Sequence, residues 1–454
     1  MNKSKLTFDG GTGTVTGANF LLETGEVNML VDCGLIQGSQ FADNLNRTPF
    51  AYNPADIDIL IITHAHADHI GRIPKLVKDG FHGQIISTPA TAELVILMLE
   101  DCVKVLADEA RKAGILPLYE KDDVAHALKL WHSLPYHEKK DLGGGISLLF
   151  KDSGHILGSA MAEISRENRK ITFTGDLGNS PSLLLCDTEP LDKTNYLIME
   201  SVYGDRNHEP KEERRRKLKE VIADTIKNKR TLVIPAFSLE RTQVILYEMN
   251  EFFENGELQS VPVFVDSPLA SRITEVYERN TDIMNEAIKK DIAGGDDVFH
   301  FPRLKFTVKA EQSHEIINVP APKIIMAGSG MSNGGRILEH EKHYLSDKHA
   351  ILLLVGYQAV GTLGRLLQDG AKSVTINKTE IPVRARIEMI SGYSSHKDSD
   401  HLLDFVEQGS EGLEQVFVVM GELKSAMFLV QRINDNVSTK AICPTLGQSF
   451  DLEL

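Results

Sequence analysis

Thr63-His64-Ala65-His66-Ala67-Asp68-His69 follows the apolar run Ile59-Leu60-Ile61-Ile62, which has the length and composition of a buried strand. Three imidazoles and one carboxylate fall within six residues, and neither a helical nor a strand period would bury them all in a core. Imidazole and carboxylate are ligand types that zinc prefers, and a turn lets them converge on one ion. The segment therefore predicts a metal site at the end of a strand.

The length and composition of the chain indicate an ordinary globular protein. Its 454 residues exceed what a single hydrophobic core usually supports, so we expect two domains. The hydrophobic fraction of 42% and the charged fraction of 25% are typical of soluble proteins. Residues 1–9 lack the apolar run of a secretory signal, and no apolar run approaches the roughly 18 residues of a membrane span. We expect a cytoplasmic enzyme with no membrane partner.

Cysteine spacing and charge exclude some classes of site. The four cysteines form no C-x-x-C pair, which argues against a thiolate zinc site and against a disulfide framework. The 49 lysines and arginines against 64 aspartates and glutamates give a net charge of −15, which does not favour general attraction to nucleic acid. The basic run at residues 214–217 is expected to be a solvated helix face. A nucleic-acid substrate would therefore need a local basic groove or metal ions.

The sequence pattern changes along the chain. Residues 1–205 read as short strands joined by glycine-rich turns, and helices and apolar strands alternate from about Lys211. That alternation predicts a parallel sheet covered on both faces, with loops at residues 235–238, 266–268, 328–330 and 356–358 at its carboxyl edge. We therefore predict a first domain (1–205), an inserted α/β domain (206–382) and a segment that completes the first domain (383–454).

Three further polar residues end strand-like runs in a fixed order around the histidine cluster. They are Asp32 in Leu30-Val31-Asp32-Cys33-Gly34, His155 in Ser153-Gly154-His155, and Asp176 in Phe173-Thr174-Gly175-Asp176. With residues 63–69, these segments resemble the metallo-β-lactamase superfamily, which implies an αββα sandwich. The resemblance assigns His64, His66 and His155 to one zinc ion, Asp68 and His69 to a second, and Asp176 to both, while Asp32 orients the site. Two zinc ions are thus expected, and they could together activate water for hydrolysis.

The inserted segment indicates one group within this superfamily. Six segments look like those of the β-CASP group. They are Glu200-Ser201-Val202-Tyr203-Gly204-Asp205, the loops 235–241, 266–270, 328–336 and 356–365, and Gly392-Tyr393-Ser394-Ser395-His396. That group processes nucleic acids, so the resemblance implies a nuclease of the bacterial and archaeal RNA-processing type. It also implies that His396 acts as a general acid oriented by Glu200, with Asp68 serving in catalysis as well as metal binding.

The loops of the inserted domain supply candidate phosphate ligands, because backbone N–H groups at glycine turns and arginine side chains bind phosphate oxygens. The substrate is expected between the two domains. The glycine turn could instead pack tightly against a helix or belong to a dinucleotide fingerprint, and Arg241 and Arg365 could form interdomain salt bridges. The candidates are Ser329, Gly330, Arg336, Arg365, Arg241 and Ser395.

One position departs from the family pattern. Ribonucleolytic relatives carry a further histidine ligand before a Gly-Glu pair, and here Met420 precedes Gly421-Glu422. A thioether is a poor partner for zinc beside oxygen and imidazole ligands, so the second zinc site is expected to be weak. DNA-processing members carry valine there. Alternatively, Met420 packs in the core or Glu422 supplies the ligand.

We expect a zinc-dependent phosphodiesterase that cleaves single-stranded RNA. The alternatives are a β-CASP nuclease acting on single-stranded DNA, a non-catalytic scaffold with an incomplete second metal site, and a small-molecule hydrolase, which would not need the inserted domain. The sequence leaves open the endonuclease or exonuclease mode, the preferred sequence and the oligomeric state, a homodimer included. Six of the seven ligand positions of the family pattern are intact, which favours an enzyme over a scaffold.

Overall fold

The computed structural model describes residues 3–38, 42–359 and 361–454. The chain forms two compact units. Unit 1 contains Met1–Asn207 and His396–Leu454, and unit 2 is His208–Ser395. Within the described residues, no helix combines the length and the apolar composition needed to cross a membrane.

The first part of unit 1 consists mostly of short strands. They are β1 (Lys3–Phe8), β2 (Phe20–Glu23), β3 (Asn28–Val31), β4 (Ile59–Ile61), β5 (Gln84–Ser87), β6 (Trp131–Ser133), β7 (Lys139–Gly143), β8 (Ile146–Asp152), β9 (Ala160–Arg166), β10 (Arg169–Phe173) and β11 (Tyr196–Met199). The helices are α1 (Ala42–Arg47), α2 (Ala67–Ile70), α3 (Ile73–Lys78), α4 (Pro89–Ala113) and α5 (Lys121–Lys129), with a 3-10 turn at Pro54–Asp56. Helix α4 begins at Pro89 because the Thr88 hydroxyl accepts a hydrogen bond from Thr91 N, and it ends where Gly114 adopts a φ of 70°.

Unit 2 alternates strands and helices, as the sequence predicts. The strands are β12 (Thr231–Pro235), β13 (Val263–Val265), β14 (Leu304–Phe306), β15 (Lys323–Ala327), β16 (Ala350–Val355), β17 (Ser373–Ile376), β18 (Thr379–Pro382) and β19 (Arg386–Ile390). The helices are α6 (Lys211–Lys227), α7 (Arg241–Glu254), α8 (Pro268–Arg279), α9 (Glu286–Ala293), α10 (Ala310–Glu315), α11 (Ile337–Tyr344) and α12 (Leu363–Gln368), with 3-10 turns at Thr281–Ile283, Ile316–Asn318 and Ser391–Tyr393.

The main sheet of unit 2 is parallel. Over the described residues its strand order is β14-β13-β15-β12-β16-β19, and buried apolar clusters cover both faces. The edge strand β19 pairs with β16 in register from Ile351↔Arg386 to Val355↔Ile390. Unit 2 therefore extends to Ser395, later than the boundary expected at residue 382, because residues 386–390 belong to its sheet rather than to unit 1.

The last segment of the chain completes unit 1. Its elements are α13 (Ser399–Gln408), β20 (Gln415–Val418), α14 (Leu423–Asn436), β21 (Lys440–Ile442) and β22 (Ser449–Glu453). In the described part of the chain, one sheet has the order β22-β1-β2-β3-β4-β5-β6 and the other has the order β21-β20-β11-β10-β9-β8-β7. The completing segment thus contributes strands to both sheets.

The two sheets of unit 1 pack face to face around an aromatic core. Phe8 and Phe20 of the first sheet meet Phe417 and Phe173 of the second, with ring centroids 5.2 Å and 6.1 Å apart respectively. Helices α13 and α14 bury apolar residues against the outer face of the second sheet, and α4 lies beside β6 of the first. This is the αββα sandwich that the sequence predicts.

The basic run at residues 214–217 is expected to form a solvated helix face, and its first residue does not fit that expectation. Arg214 is buried, and its guanidinium donates to Glu248 Oε1 at 3.3 Å and to Gly392 O at 3.1 Å. It also lies 4.6 Å from the centroid of the Tyr393 ring, and the Tyr393 hydroxyl donates to Glu248. Arg216 is exposed and pairs with Glu213 and Glu220, so the expectation holds there.

Replacing Arg214 should destabilise the fold far more than replacing Arg216. The Arg214→Ala change leaves the buried Glu248 carboxylate without its cation, which costs about 3–5 kcal/mol in comparable cases. The exposed Arg216 pairs are worth about 0–1 kcal/mol, so Arg216→Ala is the matched control. Urea denaturation measures both free energies of unfolding. Equal losses in the two variants would contradict a structural role for the buried ion pair.

Candidate metal centre and active site

A hydrogen-bonded chain after β3 and β4 orients two of the predicted histidines. Asp32 Oδ1 accepts from Thr63 N at 2.9 Å, and Asp32 Oδ2 accepts from the Thr63 hydroxyl at 2.8 Å. His69 donates its Nδ1–H to Asp32 Oδ2 at 2.7 Å, and His64 Nδ1 lies 3.0 Å from the Thr63 hydroxyl oxygen. Because Nδ1 of each ring is engaged, Nε2 is the nitrogen left to face a metal ion.

Close backbone approaches hold the turn at residues 67–69 against the neighbouring loops. Cys33 N donates to His69 O at 2.7 Å, and Ala18 N donates to Asp68 O at 2.9 Å. Gly34 makes this approach possible, since a Cβ at that position would lie 1.5 Å from Asp68 O. Gly178 has the same role on the second sheet, where a Cβ would lie 1.9 Å from Gly154 O, beside His155.

Four predicted ligands form one compact cluster. His64 Nε2 and His155 Nε2 each lie 3.4 Å from Asp176 Oδ2. His66 Nδ1 lies 3.1 Å from His64 Nε2 and 3.2 Å from His155 Nε2. Ligand atoms about 2.0–2.1 Å from a tetrahedral ion such as zinc are about 3.3–3.4 Å apart, because a tetrahedron's edge is about 1.6 times its centre-to-corner distance. The cluster therefore has the size of a four-coordinate divalent metal site.

The charge states of these residues suit metal binding. Burial lowers the pKa of His66 and His155 well below that of a free imidazole, and the neighbouring His64 and His396 rings lower it further. Both rings are therefore neutral. Burial also opposes charge on His69, but the carboxylates of Asp176 and Asp32 outweigh it and raise the pKa of His69 well above the usual value. The same carboxylates favour a metal ion at His69 Nε2, which would replace the proton.

A second metal position is less complete. His69 Nε2 lies 3.4 Å from Asp176 Oδ1, and both atoms are buried without a hydrogen-bond partner. Buried polar atoms are normally paired, so these two atoms fit a position that binds a cation. Asp68 lies on the same turn, where burial raises its pKa and the His69 charge lowers it. The structure thus places three candidate ligands near this position.

Met420 borders this second position. The residue is 2% exposed and belongs to the apolar core between the sheets, as the core-packing alternative expects. It also lines one small cavity together with His69 and Asp32. Its backbone has a φ of 46°, and Met420 N donates to Gly11 O at 2.7 Å. A side chain at this position is therefore directed to the region between the core and the metal site.

His396 and Glu200 meet beside the metal cluster. His396 Nδ1 lies 3.1 Å from Glu200 Oε1, and the His396 ring centroid lies 4.5 Å from that of His155. Glu200 is fully buried, and its Oε1 also accepts from Leu177 N at 2.6 Å. Burial disfavours charge on His396, but Glu200 and then Asp176 outweigh it and raise the pKa of His396 to about 9. His396 therefore carries a proton near neutral pH.

Comparison with known proteins accounts for this arrangement. Residues 12–226 match the model of the metallo-beta-lactamase superfamily, 242–367 match the Beta-Casp domain, and 380–444 match the Zn-dependent metallo-hydrolase RNA specificity domain. The chain belongs to the β-CASP group of the metallo-β-lactamase superfamily. Divalent metal binding follows from this superfamily and from the ligand cluster.

Several β-CASP relatives span most of the chain. Ribonuclease TTHA0252 of Thermus thermophilus is 36% identical over 420 residues, covering 92% of this chain and 94% of its own. Transcription termination factor FttA of Methanosarcina mazei is 33% identical, covering 94% of this chain and 68% of its own. An RNase J-like protein of Methanocaldococcus jannaschii is 31% identical, covering 97% of this chain and 98% of its own. A solved structure of a protein of unknown function from Enterococcus faecalis V583 shares the fold, with a TM-score of 0.58 and 13% identity over 99% of this chain and 100% of its own.

Two of the arginines predicted to bind substrate instead form hydrogen bonds within unit 2. Arg336 donates to Asp266 Oδ1 at 2.7 Å, to Thr307 O at 2.9 Å and to Val308 O at 2.7 Å. Arg241 is buried, and its Nη1 donates to Val355 O at 3.3 Å. These contacts make both side chains structural ties between loops, so the geometry does not favour them as phosphate ligands.

Of the other predicted substrate contacts, Arg365, Ser329 and Ser395 are partly exposed and Gly330 is buried. Arg365 is one-third exposed and pairs through Nε with Asp369, a bond within one helix turn. Ser329 Oγ accepts from Asn333 N at 2.9 Å, and Gly330 packs against the Phe237 ring. Gly330 is therefore tightly packed, as the packing alternative expects, but against a loop residue rather than against a helix. Ser395 is half-buried beside His396. Val360, within the predicted 356–365 segment, lies outside the described residues.

Sequence reasoning missed two residues that support the site. Thr63 relays hydrogen bonds between Asp32 and His64, and its place next to the histidine cluster was the available signal. Lys397 is buried and donates to Gly178 O at 2.9 Å, which fastens the loop after Asp176 to the residue beside His396. No pattern in the sequence marks this lysine, because its partner lies more than two hundred residues away.

His64→Ala should lower the metal content of the purified protein, because it removes one of four converging ligands. The exposed His132 on β6 provides the control, since His132→Ala removes an imidazole away from the cluster. Inductively coupled plasma mass spectrometry after dialysis measures the metal bound per chain. Equal metal content in wild type and His64→Ala would contradict the ligand assignment.

Met420→His should raise the metal content from near one ion per chain towards two, because an imidazole replaces a poor thioether ligand beside His69. The control is Met427→His on α14, where the side chain is 51% exposed and away from the core. Titration with a chelating indicator measures the number and affinity of bound ions. Two tightly bound ions in the unmodified chain, with no gain in Met420→His, would show that position 420 does not limit the second site.

Proposed function

We propose that this chain is a zinc-dependent ribonuclease that hydrolyses phosphodiester bonds in single-stranded RNA. The observation that carries the proposal is the position of His396, paired with the buried Glu200, next to a complete four-ligand metal cluster. Hydrolysis of a phosphodiester needs a cation for the phosphate oxygens and an acid for the leaving oxygen, and the site contains groups for both. Relatives named as ribonucleases, and the match to an RNA specificity domain, support RNA as the substrate.

The ligand set supports zinc as the ion. Three imidazoles and one carboxylate at tetrahedral spacing suit zinc better than magnesium or calcium, which prefer oxygen ligands and higher coordination numbers. A bound divalent ion supplies Lewis acidity, which makes water more acidic and neutralises charge on the phosphate. We propose two zinc ions, with the second bound more weakly because Met420 offers no imidazole.

The residues around the cluster have separate tasks in the proposed reaction. Asp32 and Thr63 orient the histidine rings, so the ligands are arranged before substrate binds. Glu200 holds Nδ1 of His396, so the proton that His396 transfers to the leaving oxygen is carried on Nε2. Asp68 would help to hold the second ion and would thereby serve catalysis as well as metal binding.

The complete first metal cluster disfavours the non-catalytic scaffold, since a scaffold has no need for four convergent ligands and a paired acid. The DNA-acting alternative rests on the apolar residue at position 420. It is tested directly by offering end-labelled single-stranded RNA and single-stranded DNA of the same sequence to the zinc-loaded protein. Preferential cleavage of the DNA would overturn the choice of RNA.

His396→Ala should lower kcat for RNA cleavage by about 10²–10⁴-fold, because the leaving oxygen loses its proton donor. The metal content should stay that of the wild type, which separates a lost acid from a lost ligand. His132→Ala is the matched control and should keep full activity. Products from end-labelled RNA are counted by gel electrophoresis under single-turnover conditions. An unchanged rate in His396→Ala would remove His396 from the reaction.

A further inference from the structure

Phe237 lies at the carboxyl edge of the parallel sheet of unit 2, in the loop that follows β12. Its side chain is 39% exposed, although phenylalanine is usually buried. A single exposed apolar residue is common and needs no explanation by itself. The surrounding loops, however, hold this ring in place.

The Phe237 ring rests on the loop that follows β15. A Cβ at Gly330 would lie 2.7 Å from Phe237 Cδ2 and 3.0 Å from Cε2, so the glycine leaves room for one side of the ring. Gly330 is itself fixed, because its carbonyl oxygen accepts from Nε2 of the buried Gln358 at 3.2 Å. Loops from three adjacent strands, β15, β12 and β16, thus keep the ring in one position.

The backbone that carries Phe237 is also fixed. Phe237 O accepts from the Thr242 hydroxyl at 2.7 Å and from Thr242 N at 3.2 Å. At the end of the same loop, Glu240 adopts a φ of 65°, a strained conformation for a residue with a side chain. The buried Glu240 carboxyl accepts from the Tyr277 hydroxyl, which holds this conformation. The loop is therefore rigid while its aromatic side chain stays exposed.

The loop that carries the ring also presents a polar, uncharged group. Ser238 follows Phe237, and its hydroxyl lies 3.2 Å from that of Ser267. A Cβ at Gly328 would lie 3.5 Å from Ser238 Oγ, so the loop after β15 borders the same hydroxyls. A rigid aromatic face next to hydroxyls and glycine backbone suits a flat ligand with hydrogen-bonding edges. Nucleobases have this chemistry, and they stack on aromatic side chains with little dependence on sequence.

We propose that Phe237 stacks on a nucleobase of the RNA substrate and so positions the strand by a base rather than by a phosphate. The inference rests on the proposed ribonuclease function and adds to it a contact that carries no charge. Such a contact suits a chain with a net charge of −15, because stacking does not require a basic surface.

The experiment compares wild type with Phe237→Ala, Phe237→Leu and Phe237→Trp, and measures Kd by fluorescence anisotropy. The probe is a phosphorothioate single-stranded RNA, which resists cleavage, and a second probe has the same backbone with abasic sites. The control is Phe428→Ala on α14, which removes a phenylalanine that is 47% exposed in unit 1. Melting temperatures check that each variant folds.

Phe237→Ala and Phe237→Leu should raise Kd for the RNA by roughly ten-fold, whereas Phe237→Trp and Phe428→Ala should bind as the wild type does. Binding of the abasic probe should be the same in every variant. Unchanged Kd in Phe237→Leu, or an equal loss with the abasic probe, overturns stacking while leaving the ribonuclease proposal intact. A wild-type protein that neither binds nor cleaves RNA overturns both.

Discussion

The buried carboxylate of Asp176 is the constraint on which the active site depends. It brings a negative charge to a place with 3% exposure, 3.4 Å from the rings of His64, His155 and His69. An uncompensated buried charge costs several kcal/mol, about the order of a domain's whole stability, so this site requires a cation. The neutral His66 and His155 rings do not provide one, whereas a proton on His69 does, since Asp176 and Asp32 raise the pKa of that ring well above its usual value. A divalent ion would meet the same requirement in place of that proton, and the catalytic use of the site follows from the same electrostatic demand.

The fold meets this demand by bringing strand ends from two sheets together. Asp32 and the histidine cluster follow β3 and β4 of the first sheet, while His155 and Asp176 follow β8 and β10 of the second. The aromatic core sets the spacing of the sheets and thus the distance between the two groups of ligands. The packing of the phenylalanines and the positions of the metal ligands are therefore coupled, so a substitution in the core is expected to shift the ligands.

The sequence predicts those parts of the site that are local or that follow a shared motif order. The histidine cluster is visible because its ligands lie within six residues, and Asp32, His155 and Asp176 are found because they follow in the order of the family pattern. Arg336 and Arg214 are not predictable in the same way, since Asp266 and Glu248, which bind them, lie far along the chain. The sequence around a charged residue does not distinguish a side chain that faces solvent from one that binds phosphate or a buried carboxylate. The domain boundary is misplaced from the sequence for the same reason, because β19 belongs to unit 2 only through its pairing with β16, which lies earlier in the chain.

The order of residues along the chain has a consequence for synthesis. Each member of the four-ligand cluster, and Glu200, precedes unit 2, whereas His396 is the first residue after it. A ribosome therefore makes the four-residue cluster early and His396, the proposed acid, only after the whole of unit 2 has been translated, and domains tend to fold in that order. β20 and β22, which extend the two sheets, come later still. A nascent ribonuclease sits beside its own messenger RNA, and with the role proposed for His396 the growing chain lacks its proton donor until unit 2 has been translated.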